Sequence, residues 1–311
     1  MWTLIAGAFM GWGLGSNDAA NLFGPAVGSR ALRFWTAASL ASVFVIIGAI
    51  VMGSRGFVTY GAIGTQTLVS SFTVMLAAGI TVAVMTLLGL PISSTQATVG
   101  AIIGGSLLNA SGVNLQPLLK IFLSWVLTPI GGLVAAYIPY KIITLYPHTL
   151  VGRFAAHDRF IRWGIVLVTC YGAFSLGANN VANVTGVYVQ SGLLSPASGA
   201  LFGSLAIALG IMTFSKRVIR TVGSGLVPLD PFAALVVVLA EAITLNVYAM
   251  VGVPVSASQA VVGALVGIGL VKGVKTIDGR ALVRVLFGWL GTPAIAGALS
   301  VALGLLVRII M

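Results

Sequence analysis

Long apolar runs separated by short polar stretches fill the chain from end to end. Ten can be marked, five in each half: about 2–27, 34–53, 72–90, 96–110 and 118–145, then about 164–189, 193–212, 232–252, 259–271 and 281–309. A helix needs about 20 apolar residues to cross the ~30 Å of bilayer hydrocarbon, and most of these runs reach that length. Alternating strand-like stretches of about 10 residues, the mark of an outer-membrane barrel, are absent. The pattern predicts an all-α polytopic membrane protein. Segments 96–110 and 259–271 are short for a full crossing, and each follows a Pro-Ile/Val-Ser break with no charge nearby. Each is therefore expected to be re-entrant, or a helix broken near the midplane.

The two sets of five are copies. Gly15-Ser-Asn-Asp-Ala-Ala-Asn21 returns 162 residues later as Gly177-Ala-Asn-Asn-Val-Ala-Asn183. Pro91-Ile-Ser-Ser-Thr-Gln-Ala97 returns as Pro254-Val-Ser-Ala-Ser-Gln-Ala260, and Trp125-Val-Leu-Thr-Pro129 as Trp289-Leu-Gly-Thr-Pro293. Gly100 and Gly104 match Gly263 and Gly267, both GxxxG pairs of the kind that let helices approach closely. The expected division is a first repeat over 1–145, a polar join over 146–162 and a second repeat over 163–311.

Five segments per copy is an odd number, so the second copy should lie upside down in the membrane. Loop charges agree. One side takes Arg30 and Arg33, then Lys141, Arg153, Arg159 and Arg162, then Lys216, Arg217 and Arg220, then Lys272, Lys275, Arg280 and Arg284. The other takes Arg55, Lys120 and Arg308. Lys and Arg accumulate in cytoplasmic loops, which places the first side and the 146–162 join in the cytoplasm and both termini outside. The turns at 91–95 and 254–258 carry no Lys or Arg, so the reading holds whether or not the short segments are re-entrant. The expectation is two inverted-topology repeats of about five helical segments each in a cell (plasma) membrane protein.

Composition agrees. Charged residues make up 7% and hydrophobic ones 59%, where soluble domains carry roughly 25% charged residues; mean hydropathy is +1.11. The net charge of +11 is that of cytoplasmic loops rather than of a nucleic-acid binder. Lys216-Arg-Val-Ile-Arg220 reads as a loop facing anionic lipid. Cys170 has no partner for a disulfide and reads as a small packing residue. The N-terminus lacks a basic n-region, so the first span is expected to be retained.

Polar groups inside apolar spans mark functional sites by default. In Pro-x-Ser-Ser/Ala-Thr/Ser-Gln, Pro91 disfavours helix at the residue before it, and Ser93, Ser94 and Thr95 are good N-cap candidates. Free N–H groups and hydroxyls at such a start bind an anion, helped by the helix dipole. Ser93, Ser94, Thr95 and Gln96 with Ser256, Ser258 and Gln259 would form a clamp for a small oxyanion, joined by Asn17 and Asn179; the plainer reading is local satisfaction of a helix break. Asp18, Asn21, Asn180, Asn183 and Glu241 read as the cation-coupling group. Oxygen-rich Asp18, Asn21 and Asn183 suit Na⁺; Asp18 could instead carry a proton, and polar glue between helices is the plainer reading. Glu241 has no counterpart, its matching position being Ala78, and could equally pair with a nearby polar side chain. Trp125 and Trp289 with their Thr-Pro pairs read as packing and kink devices, and Asp230 as the cap of a segment starting near Phe232. His148 and His157 read as solvated. No pair of acids and no Ser/His, Cys/His or metal-ligand spacing lies at mid-span, so neither an enzyme nor a bound cofactor is expected. Inverted repeats with broken helices are the plan of secondary transporters, whose sites lie where the repeats meet.

The doubled Gly-x-Asn-Asp-x-x-Asn element, followed by Pro-x-Ser-Ser/Thr-Thr, resembles the inorganic phosphate transporter (PiT) family, with its sulfate permease relatives, over almost the whole chain. The resemblance implies symport of phosphate, or of sulfate or another tetrahedral oxyanion, with Na⁺ or H⁺, external termini and a homodimer. Three positions depart from the family pattern. Asn180 stands where a second Asp is usual, Gln96 and Gln259 stand where a His is usual, and Ala257 replaces a hydroxyl residue. The long hydrophilic insert of many relatives is missing, which leaves a minimal transport core.

Overall fold

The computed structural model describes residues 2–28, 30, 32–88, 92–109, 112–145, 158–222 and 227–310. Among them the first half forms α1 (Leu4–Gly28), α2 (Phe34–Met52), α3 (Ser54–Gly61), α4 (Leu68–Leu87), α5 (Ser94–Leu108) and α6 (Leu115–Leu145). The second half forms α7 (Asp158–Gln190), α8 (Pro196–Thr213), α9 (Ser215–Val222), α10 (Pro231–Val251), α11 (Ala257–Lys272) and α12 (Gly279–Ile310). All ten apolar segments are helices, and each half adds a short one, α3 or α9, that the apolar pattern does not mark. Seven helices among the described residues are long and apolar enough to cross a membrane: α2, α4, α6, α7, α8, α10 and α12. His148, His157, Pro91 and most of the 146–162 join lie outside the described residues.

Each short segment folds back along the helix before it. Gln66, just before α4, donates from Nε2 to Ser106 Oγ near the end of α5 at 2.8 Å. Asp230 N-caps α10 as expected, accepting from the Ala233 N–H at 2.8 Å, and pairs with Lys272 at the end of α11 at 2.7 Å. Each hairpin, α4–α5 or α10–α11, thus begins and ends on the same face of the protein. The two hairpins use opposite faces. Asp230 and Lys272 stand with Tyr140 of α6, and Lys216 of α9 stands over Phe34 and Trp35 at the start of α2; these belong to the basic face. Arg308 of α12 caps the end of α5, donating to the Leu108 carbonyl at 2.8 Å, on the face opposite.

The halves interlock rather than sit side by side. Helix α5 packs along α12 and α11 along α6; α2 packs along α7 and α8 along α1. Glycines set these crossings. A Cβ on Gly15 would collide with the Ile207 carbonyl, and one on Gly177 with that of Val45. Gly48 faces the Phe174 carbonyl and Gly210 that of Trp12 in the same manner. Each partner stands 162 residues from its counterpart, so the contacts repeat the duplication in space. The GxxxG pairs meet the Thr-Pro stretches of the other half: Gly100 faces the Pro293 carbonyl and Gly263 that of Pro129. These are close backbone approaches of the Cα–H···O type.

Candidate functional site

Both expected helix starts are present. Ser93 and Ser256 are extended N-cap residues whose hydroxyls accept the N–H groups of Gln96 and Gln259, each at 3.2 Å. They lie on hairpins whose ends sit on opposite faces of the protein, and both starts are buried. Against them lie the Asn-rich middles of α1 and α7. The Ser94 hydroxyl donates to Asp18 Oδ2 at 2.9 Å, and Asn180 Nδ2 donates to the same oxygen at 3.1 Å. Asn180 Oδ1 accepts from Asn179 at 3.2 Å and from Asn183 at 3.4 Å. Asn183 also donates to Thr95 Oγ1 at 3.0 Å, and Thr95 donates to the Val255 carbonyl at 2.9 Å. Asn179 straddles the second break, donating to the Val255 carbonyl at 3.0 Å and accepting its N–H at 3.3 Å. The two copies of each motif therefore form one network, with α5 of the first half against α7 of the second.

The other expected residues stand around it. Asn17 donates to Thr86 Oγ1 at 3.0 Å. Ser258 bonds with Ser256 at 2.9 Å. Asn21 is half-buried and makes no side-chain hydrogen bond among the described residues. The carboxamide oxygens of Gln96 and Gln259, and both carboxylate oxygens of Glu241, are buried without a hydrogen-bond partner. Glu241 sits on α10 within electrostatic reach of Asp18.

Two contributors escape the motifs. Thr98 donates to the Asn183 carbonyl at 3.2 Å, and the Tyr60 hydroxyl, from the short helix α3, donates to Asn183 Oδ1. The sequence signal that could have found Tyr60 is a further echo: Arg55-x-x-x-Thr59-x-Gly61 returns as Arg217-x-x-x-Thr221-x-Gly223.

The fully buried charged side chains among the described residues are the two acids, Asp18 and Glu241; no Lys, Arg or His joins them. No group of three or more His, Cys, Asp or Glu among those residues could hold a metal. Any Na⁺ site would therefore rest on oxygens of Asp18, the asparagines and the backbone. Burying unpaired carboxylates is costly, and such a centre favours cations. Hydroxyls, amides and helix-start N–H groups beside it favour anions. An anion and a cation brought together here offset each other's charge.

The comparisons with known proteins agree with this architecture. The sequence profile of the phosphate transporter family matches the chain twice, over residues 14–157 and 148–300, one match to each half. A protein of Methanocaldococcus jannaschii, provisionally named a phosphate permease, is 29% identical over 94% of this chain and 93% of its own length. One of Thermococcus kodakarensis with the same provisional name is 28% identical over 96% and 95%. A solved structure titled the sodium-dependent phosphate transporter superposes with a TM-score of 0.90 over the full length of both chains, at 24% identity. With its motifs doubled, inverted and brought to one buried centre, the chain belongs to the phosphate transporter family.

Proposed function

We propose that this protein is a secondary active transporter that imports inorganic phosphate together with Na⁺ or H⁺ by alternating access, not an enzyme. The observation that carries the reading is a buried centre with two acids, two capped helix starts and no cationic side chain. An anion entering it needs an accompanying cation, and membership of the phosphate transporter family supports phosphate as that anion. Ser93, Ser94, Thr95 and Gln96 with Ser256, Ser258 and Gln259 hold the anion, with Asn17 and Asn179 at its edge. Asp18, Asn21, Asn180, Asn183 and Glu241 hold the cation. The cation also offsets the membrane potential, which opposes an entering anion by about 2.3 kcal/mol per charge per 100 mV. In this reading the protein is a homodimer of the plasma membrane with its basic face in the cytoplasm.

Uptake of radiolabelled phosphate and sulfate into proteoliposomes, with Na⁺ and pH gradients imposed separately, tests it. Phosphate accumulation under one of the two gradients is expected. Accumulation of sulfate alone would move the substrate to the sulfate permease relatives. No accumulation of either anion under any gradient would sink the reading.

A further inference from the structure

Helix α3 closes one face of the buried centre. On the face opposite the basic one, Tyr60 is fully buried against Gly186, where a Cβ would lie 3.0 Å from Tyr60 Cβ, and its hydroxyl holds Asn183. Arg55 Nη1 donates to the Met250 carbonyl at 2.7 Å, and Thr59 Oγ1 donates to that of Gly252 at 2.5 Å. Gln190 Nε2 donates to the carbonyls of Gly61 and Gly64 at 2.7 and 3.1 Å. Helix α3 is thereby fastened both to α7 and to the tip of the α10–α11 hairpin, just before the Ser256 helix start.

The repeat supplies a comparison inside the same molecule. The counterparts of Asn183, Gly186 and Gln190, 162 residues earlier, are Asn21, Gly24 and Gly28. Among the described residues, Asn21 is half-buried and makes no side-chain hydrogen bond, and a Cβ on Gly24, which is buried, or on Gly28 would meet none of their atoms within 4 Å. Where Tyr60 packs on one side, its counterpart position carries Val222. In an inverted-repeat transporter the two halves exchange conformations between the inward and outward states, so the bonds that hold α3 belong to one of the two.

We propose that α3 is the outer gate of the path and Tyr60 its plug. The centre opens to the face opposite the basic one only when Arg55 and Thr59 leave the hairpin tip and Tyr60 leaves Asn183. This rests on the transport reading above. Tyr60 acts through Asn183, as a positioning residue that ties closure of the gate to the arrangement of the centre. Because Val222 and Gly28 cannot reproduce the bonds of Tyr60 and Gln190, the resting chain favours the state closed at α3.

A disulfide tests the gate. A Cβ built on Gly252 lies 3.4 Å from Arg55 Cβ, close to the roughly 3.5–4.5 Å that a disulfide spans. In a Cys170→Ala background, Arg55→Cys with Gly252→Cys should cross-link on oxidation, and phosphate uptake should fall by about tenfold or more and return with reductant. Asn21→Cys, added as a reporter in a second variant used for labelling alone, should still react with a membrane-impermeant thiol reagent from the basic face once the pair is cross-linked, because Asn21 is half-buried. Cross-linked protein that transports at the reduced rate, or a reporter reached only from the opposite face, would overturn the proposal. Tyr60→Val, without the engineered pair, tests the plug in a protein that needs no disulfide. It should lower reporter labelling from the basic face severalfold by shifting the population outward, and unchanged labelling counts against the plug. Reduced protein that takes up no phosphate would refute the transport reading, while the sidedness of labelling still decides the gate.

Discussion

Asp18 accepts hydrogen bonds from Ser94 and Asn180 on one oxygen, Oδ2, and no cationic side chain answers its charge. A hydrogen bond to a charged group contributes about 1.5–3 kcal/mol. Asp18→Asn is therefore expected to weaken the driving cation's binding by about 10- to 150-fold, seen as a rise in the Na⁺ or H⁺ concentration that half-saturates phosphate uptake. Unchanged cation dependence would remove Asp18 from the coupling role. Asp230 behaves differently because it lies at the basic face. Burial pushes its carboxyl up, but the Lys272 ammonium and the Ala233 N–H outweigh burial and hold it below the usual carboxylate value. The sign follows: a carboxyl lowered on folding stabilises the fold above its unfolded value of about 3.9, and that contribution fades as pH falls through the folded value. Asp230→Asn keeps the cap and loses the ion pair. Its stability should lie below wild type at neutral pH by no more than about 1 kcal/mol for so exposed a pair, read as a slightly lowered thermal midpoint in detergent, and the difference should vanish in acid.

At the scale of elements, the GxxxG pairs and the Thr-Pro stretches are two sides of one seam. Gly100 and Gly263 admit the carbonyls of Pro293 and Pro129, and the neighbouring Thr128 and Thr292 turn their hydroxyls back onto the carbonyls of Ser124 and Gly288. Gly100→Ala or Gly263→Ala forces a methyl into backbone, and overpacking costs about 1–3 kcal/mol; a lowered midpoint in detergent melts checks it. Both motifs were legible in the sequence as helix-packing devices. That they pack against each other was not, because the partners lie on different halves and share no spacing. Helices α3 and α9 were missed for a simpler reason. Eight residues each, they are too short and too polar to register in a pattern of apolar spans, yet α3 brings Tyr60 to the centre.

For the whole molecule, the exchange of α5 onto α12 and α11 onto α6 means that each half buries its hairpin against the other. Residues 1–150 and 151–311, co-expressed as separate chains, should therefore co-purify from membranes, whereas either alone should fail to accumulate. Independent accumulation of one half would show that the seam is dispensable. What the sequence by itself determined is periodic and local: apolar length, the doubled motifs, the loop charges that invert the second copy, and the Ser caps at each helix start. These follow from the bilayer's demand for satisfied backbone and from short-range capping chemistry. Only the tertiary structure decided which motif meets which. It joined Asp18 to Asn180 and Ser94, left the Glu241 carboxylate without a hydrogen-bond partner beside them, and closed one face with Tyr60. Such pairings depend on packing between residues 76 to 162 positions apart, where a repeat permits two nearly equivalent arrangements and side-chain contacts select between them.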